Sequence, residues 1–304
     1  MKRKYLFSIA FLLTFFFVKG KSQNFYFDIS KDYSTVEVGY YTTEKHKRVR
    51  LLKQSVETLN IDSIVDVVCP KSTEKTLVYI HGLGGDAKRT QKQIPKYFND
   101  SLRGNRYTNR TISFVWHATR FWYSDTWQEG YETGKLFAPI FNKILENSSE
   151  NATVLCHSMG HRIFEGVASE LEKVHNKNLP IEDVIFTAPD LYTDAFNKNL
   201  AHLPDYCSSI TIYIKKKDKT LGVSKMIHHA NRMGLKGVTE FNEALKVKIQ
   251  QIECSNTKSN AWWEISGHLY FLFDKKVHQD IKNLLVNEKR NFKLLDTSLN
   301  LYTL

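Results

Sequence analysis

Cysteine is scarce in this chain of 304 residues. Its four cysteines, Cys69, Cys156, Cys207 and Cys254, are too few for the cross-linked frameworks that hold small secreted domains together. Cys207 and Cys254 lie beside two strands expected to be neighbours, and they are the pair the sequence nominates for a disulfide. No C-x-x-C or H-E-x-x-H spacing occurs, so a metal centre has no support. The glycine-rich stretch His81-Gly82-Leu83-Gly84-Gly85 lacks the G-K-[ST] of a phosphate-binding loop, and G-x-G-G is too short for a dinucleotide fingerprint. The lysine run at 215–219 has no interleaved aromatics and no nucleic-acid motif, which argues against a nucleic-acid partner. Beyond the first residues, no apolar stretch is long enough to span a bilayer.

The first residues themselves have a different character. Lys2-Arg3-Lys4 precede an apolar run from Tyr5 to Val18, and Gly20 and Ser22 supply small residues after it. This is the outline of a secretory signal peptide over 1–23, and it predicts an exported protein that is periplasmic, secreted or envelope-associated. The formal charge is +11; setting aside Lys2, Arg3, Lys4, Lys19 and Lys21 leaves +6. That moderate basicity is compatible with association at an anionic membrane surface and equally with plain solubility. Oligomeric state is not readable. Residues 24–304 have the length of a single α/β domain.

Within that domain, Val36–Tyr40 and Val65–Val68 suit antiparallel pairing, and 24–75 reads as the leading edge strands of a sheet. From 77 to 286 short β-prone runs alternate with helical patterns: Leu77–Ile80, Thr111–Trp116, Thr153–His157, Val184–Thr187, Ile210–Ile214 and, as the final strand, Val247–Cys254. Such alternation predicts an α/β fold with a mostly parallel central sheet and helices on both faces. In such sheets chemistry gathers beyond the C-terminal strand ends. His81, Ser158, Asp190 and Asp218 all fall at these ends.

The segment Thr153–Ile163 reads as strand, tight turn and helix with Ser158 at the tip. A serine so placed is lifted clear of the sheet, and the amide of Met159, at a helix N-terminus, is aimed where an oxyanion would form. The loop 81–85 ends a neighbouring strand and offers a second oxyanion amide, that of Leu83. Serine needs a histidine to take its proton and a carboxylate to orient that histidine. The order Ser, acid, His makes His268, in the loop after the last strand, the expected base. Asp218 is the preferred acid, with Asp190 one strand earlier as its rival. The aromatics after the strand ending at Trp116, among them Phe121 and Trp122, together with His81, are expected to line a substrate pocket or simply to pack.

The ordered set V-Y-I-H-G, S-F-V-W, C-H-S-M-G-H-R, A-P-D-L-Y-T-D-A-F, I-T-I-Y-I-K-K-K-D-K-T-L-G-V-S-K, R-M-G and G-H-L-Y-F spans about residues 77–272. It resembles the alpha/beta-hydrolase superfamily and, within it, the esterase-like group called domain of unknown function 900. Two positions depart from the usual pattern: Cys156 stands for a smaller elbow residue, and Trp116-His117-Ala118 for Trp-Pro-Ser. The resemblance implies the alpha/beta-hydrolase fold, a Ser158, Asp218, His268 triad and oxyanion amides at Leu83 and Met159. The expectation is therefore an exported serine hydrolase, a carboxylesterase or lipase-like enzyme needing no cofactor and acting on a small-molecule or lipid-like ester. The rival expectation is a non-catalytic envelope or secretion-complex binding protein on the same fold.

Overall fold

The computed structural model describes residues 23–42, 45, 47–83, 87–100, 105–106, 108, 110–118, 123–148, 152–174, 181–241, 243–258, 261 and 264–304. The expected leader lies outside them, except for Gln23, which opens the first strand. In chain order the elements are β1 (Gln23–Ile29), β2 (Thr35–Tyr41), β3 (Arg48–Ser55), α1 (Ile61–Val68), β4 (Thr76–Ile80), α2 (Ala87–Phe98), the short pair β5 (Asn99–Asp100) and β6 (Asn105–Arg106), β7 (Arg110–Val115), α3 (Tyr123–Asn147), β8 (Ala152–His157) and α4 (Gly160–Val174). There follow β9 (Ile181–Thr187), α5 (Phe196–Asn199), β10 (Cys207–Ile214), α6 (Lys219–His228), α7 (Met233–Lys236), α8 (Glu243–Lys248), β11 (Ile249–Glu253), α9 (Tyr270–Phe273), α10 (Lys275–Leu285), β12 (Lys293–Asp296) and β13 (Leu301–Thr303).

Strands β4, β7 and β8 are buried at every position, as strands covered on both faces must be. They lie at the middle of one sheet ordered β12-β13-β11-β10-β9-β8-β4-β7-β1-β2-β3. From β11 across to β1 every pairing is parallel. Alternate side chains feed two cores. Val78, Ile80, Val154, Cys156, Val184 and Phe186 join Phe137, Phe141, Phe164 and Val167 of α3 and α4 on one face. Leu77, Tyr79, Leu155, Ile185 and Tyr213 join Ile94, Phe98, Val277 and Ile281 of α2 and α10 on the other. The parallel arrangement brings Asp28, His81, Trp116, Ser158, Asp190 and Asp218 to one edge of the sheet.

Three expectations are corrected. Residues 65–68 are helical, not a strand. Asn60 Oδ1 accepts the Ser63 amide at 3.0 Å and caps α1, so Val65 and Val68 reach the core on a helical face. The leading region 24–75 therefore contributes three strands and a helix, and β1 is an interior strand between β7 and β2. Cys207 and Cys254 do not pair; all four cysteines are free and buried. Because β10 and β11 are parallel, with Ile210 beside Ile249 and Ile214 beside Glu253, Cys207 at the start of one and Cys254 past the end of the other lie at opposite edges, beyond disulfide reach. Finally, β11 is not the last strand. The residues after 288 fold back so that Tyr302 pairs with Ile252 and Leu294 with Tyr302, extending the sheet by β13 and β12.

Candidate active site

Ser158 sits on the sharp turn between β8 and α4 with φ of 53°, a left-handed conformation that costs a non-glycine residue about 1–2 kcal/mol. Fixed partners hold it there. Its amide donates to Thr187 O at 3.0 Å, and its carbonyl accepts the Asp190 amide at 3.3 Å and His161 Nδ1. Burial drives the His161 imidazole down to about 3, so the ring is neutral and serves as a brace. Gly160 follows because any side chain there would collide with the Ile80 carbonyl. Met159, between them, is buried at the helix start. Cys156, buried on β8, has its thiol pushed well up by burial, which makes it inert.

His268 meets Asp218 at 2.7 Å, Nδ1 to Oδ2. An ionised carboxylate only accepts, so Nδ1 carries the proton and Nε2 is left as the basic nitrogen of the neutral ring. Asp218 is itself held, its Oδ1 accepting Leu221 N at 3.0 Å as the N-cap of α6. Burial pulls the His268 imidazole down, but the charge and hydrogen bond of Asp218, with Asp190 and Glu264 behind them, outweigh it, and the net shift is upward. The loop that carries His268 is organised by Glu264, a residue sequence reasoning passed over. Glu264 Oε1 accepts from Ser266 Oγ at 2.5 Å, His268 N at 2.9 Å and Leu269 N at 3.3 Å. Nothing in the local pattern marks Glu264, because its partners are three backbone or hydroxyl donors with no motif of their own.

His268 packs against His157, the residue that precedes Ser158. The His157 ring lies 4.7 Å from the His268 ring, and its Nε2 meets His268 O at 3.2 Å. Among the described residues no hydrogen bond joins Ser158 Oγ to the His268 ring; such contacts are often loose until substrate is bound. Asp190 is occupied elsewhere. Its Oδ1 accepts Ser224 Oγ at 2.7 Å and lies 3.2 Å from Nε of the fully buried Arg232, which also stacks on Tyr192 at 4.4 Å. Burial raises the Asp190 carboxyl, against Arg232 and Ser224.

The loop after β4 approaches the turn closely. A Cβ on Gly82 would lie 2.6 Å from Ser158 Cβ and 3.2 Å from Ser158 Oγ, so only glycine permits this fit. Leu83 follows at the surface. His81 locks the loop to β7: its Nε2 accepts Trp116 N at 3.2 Å, its Nδ1 donates to Gly82 O at 2.6 Å, and Trp116 Nε1 donates to His81 O at 2.9 Å. Burial holds this imidazole down at about 4. Beside it opens a cavity of about 290 Å³ lined, among the described residues, by Lys31, His81, Gly82, Leu83, Trp116, His117 and Ala118. His117 is oriented by Asp28, Nε2 to Oδ1 at 2.7 Å, and Asp28 by Arg48 at 2.7 Å. Both partners lie far from His117 in sequence, which is why the pattern did not reveal them. Phe121 and Trp122 lie outside the described residues.

The family model for alpha/beta hydrolases of unknown function, DUF900, matches residues 60–287. The chain belongs to this family. No relative is found among curated proteins. Membership of an alpha/beta-hydrolase family agrees with the architecture, in which a mostly parallel sheet carries helices on both faces. It names neither the substrate nor the residues that act, and for this DUF900 member those rest on the geometry above.

Proposed function

We propose that this protein is an exported serine hydrolase of carboxylic esters, with Ser158 as nucleophile, His268 as general base and Asp218 as the acid that orients it. The observation that carries the reading is the His268–Asp218 contact at 2.7 Å, on a loop that meets His157, next in sequence to a serine whose turn is held in a conformation serine ordinarily avoids. Structural serines rarely need such a backbone, whereas a nucleophile raised above a sheet does.

In the proposed reaction Ser158 Oγ forms a bond to the ester carbonyl carbon while its proton passes to His268 Nε2. The oxyanion is received by the amides of Met159 and Leu83. On collapse the carbon–oxygen bond to the alcohol breaks, and His268 returns the proton to the departing alkoxide. Water, deprotonated by the same nitrogen, then attacks the acyl-enzyme and frees the acid and Ser158. Asp218 keeps its charge throughout and stabilises the imidazolium. The cavity beside Gly82, with Trp116 as one wall, receives one part of a small-molecule or lipid-like ester. The chemistry draws on no cofactor.

A fluorophosphonate probe tests the reading directly. Folded wild-type protein should be labelled and Ser158→Ala should not. No labelling of folded wild-type protein, or equal labelling of Ser158→Ala, overturns the proposal and leaves a binding role for the fold.

A further inference from the structure

Helix α6 is fastened to the protein by its inner face. Asp218 caps its N-terminus, Leu221 is buried, and Ser224 donates to Asp190 at 2.7 Å. His228, at its end, meets the Tyr192 hydroxyl at 3.2 Å and stands 6.3 Å from the Trp127 ring. These contacts lie beyond the ends of β9 and β10, so the helix runs along the same rim as Ser158 and His268.

Its outer face carries Val223, Met226 and Ile227, which are 57%, 74% and 55% exposed. Separations of three and four residues place them in one stripe. Ile265, 75% exposed, belongs to the loop that bears His268, and that loop joins the start of α6 through Lys219 N to Ser266 O at 2.8 Å. A Cβ built on Gly222 meets nothing within 4 Å, so this side of the helix is open. Isolated exposed apolar residues are ordinary, but three within five positions, with a fourth next to the helix start, form a patch. Its charge is one-sided. Lys217, Lys219 and Lys225 are exposed, and the single acidic residue between 215 and 229, Asp218, is buried against His268.

The geometry points to the outer face of α6, with Ile265, as a docking surface for bilayers that contain anionic lipid. Apolar side chains on one helical stripe enter the acyl boundary while flanking lysines reach headgroup phosphates. Four side chains without an aromatic anchor make a small area for a stable protein partner. For a membrane they suffice as a weak, charge-assisted contact. The surface adjoins the loop of the proposed base, so docking sets the mouth of the site against the interface. Resting on the ester-hydrolase reading above, this names the substrate class as esters carried in an anionic bilayer.

The test is flotation of the full protein with phosphatidylcholine vesicles, with and without phosphatidylglycerol. Wild-type protein should float with the anionic vesicles and release on added salt. The triple substitution Val223→Ser, Met226→Ser, Ile227→Ser should lower partition by about tenfold or more, and Lys225→Glu by about fivefold, with p-nitrophenyl butyrate turnover unchanged in both. Failure to bind anionic vesicles overturns the inference. So does equal binding by the triple variant, or a stripe-dependent change in size on gel filtration, which would make the patch a contact between copies. Ser158→Ala protein run in parallel separates the two proposals. Stripe-dependent flotation without fluorophosphonate labelling of wild type sinks only the hydrolase reading, and labelling without such flotation sinks only the docking surface.

Discussion

Asp190 and Asp218 stand at the ends of adjacent parallel strands, both buried, both within the same rim, and both gripping helix α6. They differ in what they face. Asp218 points one oxygen at the Leu221 amide and the other at His268; Asp190 points at Ser224 and the buried guanidinium of Arg232. A carboxylate beside a permanent cation is a fixed ion pair, whereas one beside an imidazole sets the charge of a group that titrates near neutral pH. The contrast shows that position at a strand end does not assign a role; the partner does.

Exchanging each acid for its amide sharpens the contrast most. Asp218→Asn should lower kcat on an ester by about 10⁴-fold, because the imidazole loses the acceptor that fixes its tautomer. Folding should be nearly unchanged, since asparagine caps a helix as well as aspartate. Asp190→Asn should do the reverse. It leaves Arg232 buried without a counter-charge and should cost about 3–5 kcal/mol in chemical denaturation, with kcat in the surviving folded protein within about tenfold of wild type. Matching losses of kcat in the two variants would break the comparison.

A smaller effect is expected at Glu264. Glu264→Gln weakens the clamp on the His268 loop and should lower kcat about 10- to 100-fold by misplacing the ring, with KM for a soluble ester little changed. The pH profile gives a finer reading. The upward shift of His268 means that the ring holds its proton to a higher pH than a free imidazole, so kcat/KM should rise through an acid limb whose midpoint lies above 6.5. Removal of the carboxylate's charge, as in Asp218→Asn, should move the limb downward. A limb at or below 6.5 in wild type would count against His268 as the base.

A last effect, on stability, is read by changing pH rather than sequence. His81, His161 and His278 are held by burial at about 4, 3 and 4. They stay neutral in the folded protein while the unfolded chain takes up protons below about 6.5. Their contribution is therefore whole above pH 6.5 and is lost as pH falls toward 4. His268 has the opposite sign, helping most below pH 6.5 and losing its contribution as pH rises through its own raised value. Denaturant midpoints should fall between pH 7 and pH 5; a flat profile would contradict the three neutral rings.

The fold was legible in the sequence where single strands announced themselves. Buried strands in a doubly covered sheet are largely apolar, and Leu77–Ile80, Val184–Thr187 and Ile210–Ile214 could scarcely be anything else. It was illegible where local and tertiary signals competed. Val65-Asp66-Val67-Val68 is β-prone by composition, yet Asn60 caps a helix before it and the core accepts Val65 and Val68 at helical spacing. The strands after residue 288 are short, and β12 is largely exposed; pairing of β13 with β11 and of β12 with β13, not their own pattern, makes them strands. In the candidate site, the elbow and the His268–Asp218 spacing could be read because they follow strand ends. The Asp28–His117 pair and the bracing role of His81 could not, since each depends on which loops the sheet order sets side by side, and Glu264 could not because its partners, though close in sequence, are backbone and hydroxyl donors that form no motif.

The place of β1 has a consequence for how the chain comes together. Its parallel neighbour is β7, Gln23 beside Arg110 and Asp28 beside Val115, so β1 has only the β2 hairpin to hold until Arg110–Val115 has been made. A ribosome therefore releases a long stretch of polypeptide before the central sheet can close around its beginning. Chains stalled before residue 110 should stay protease-sensitive along β1, and those stalled well after it should not.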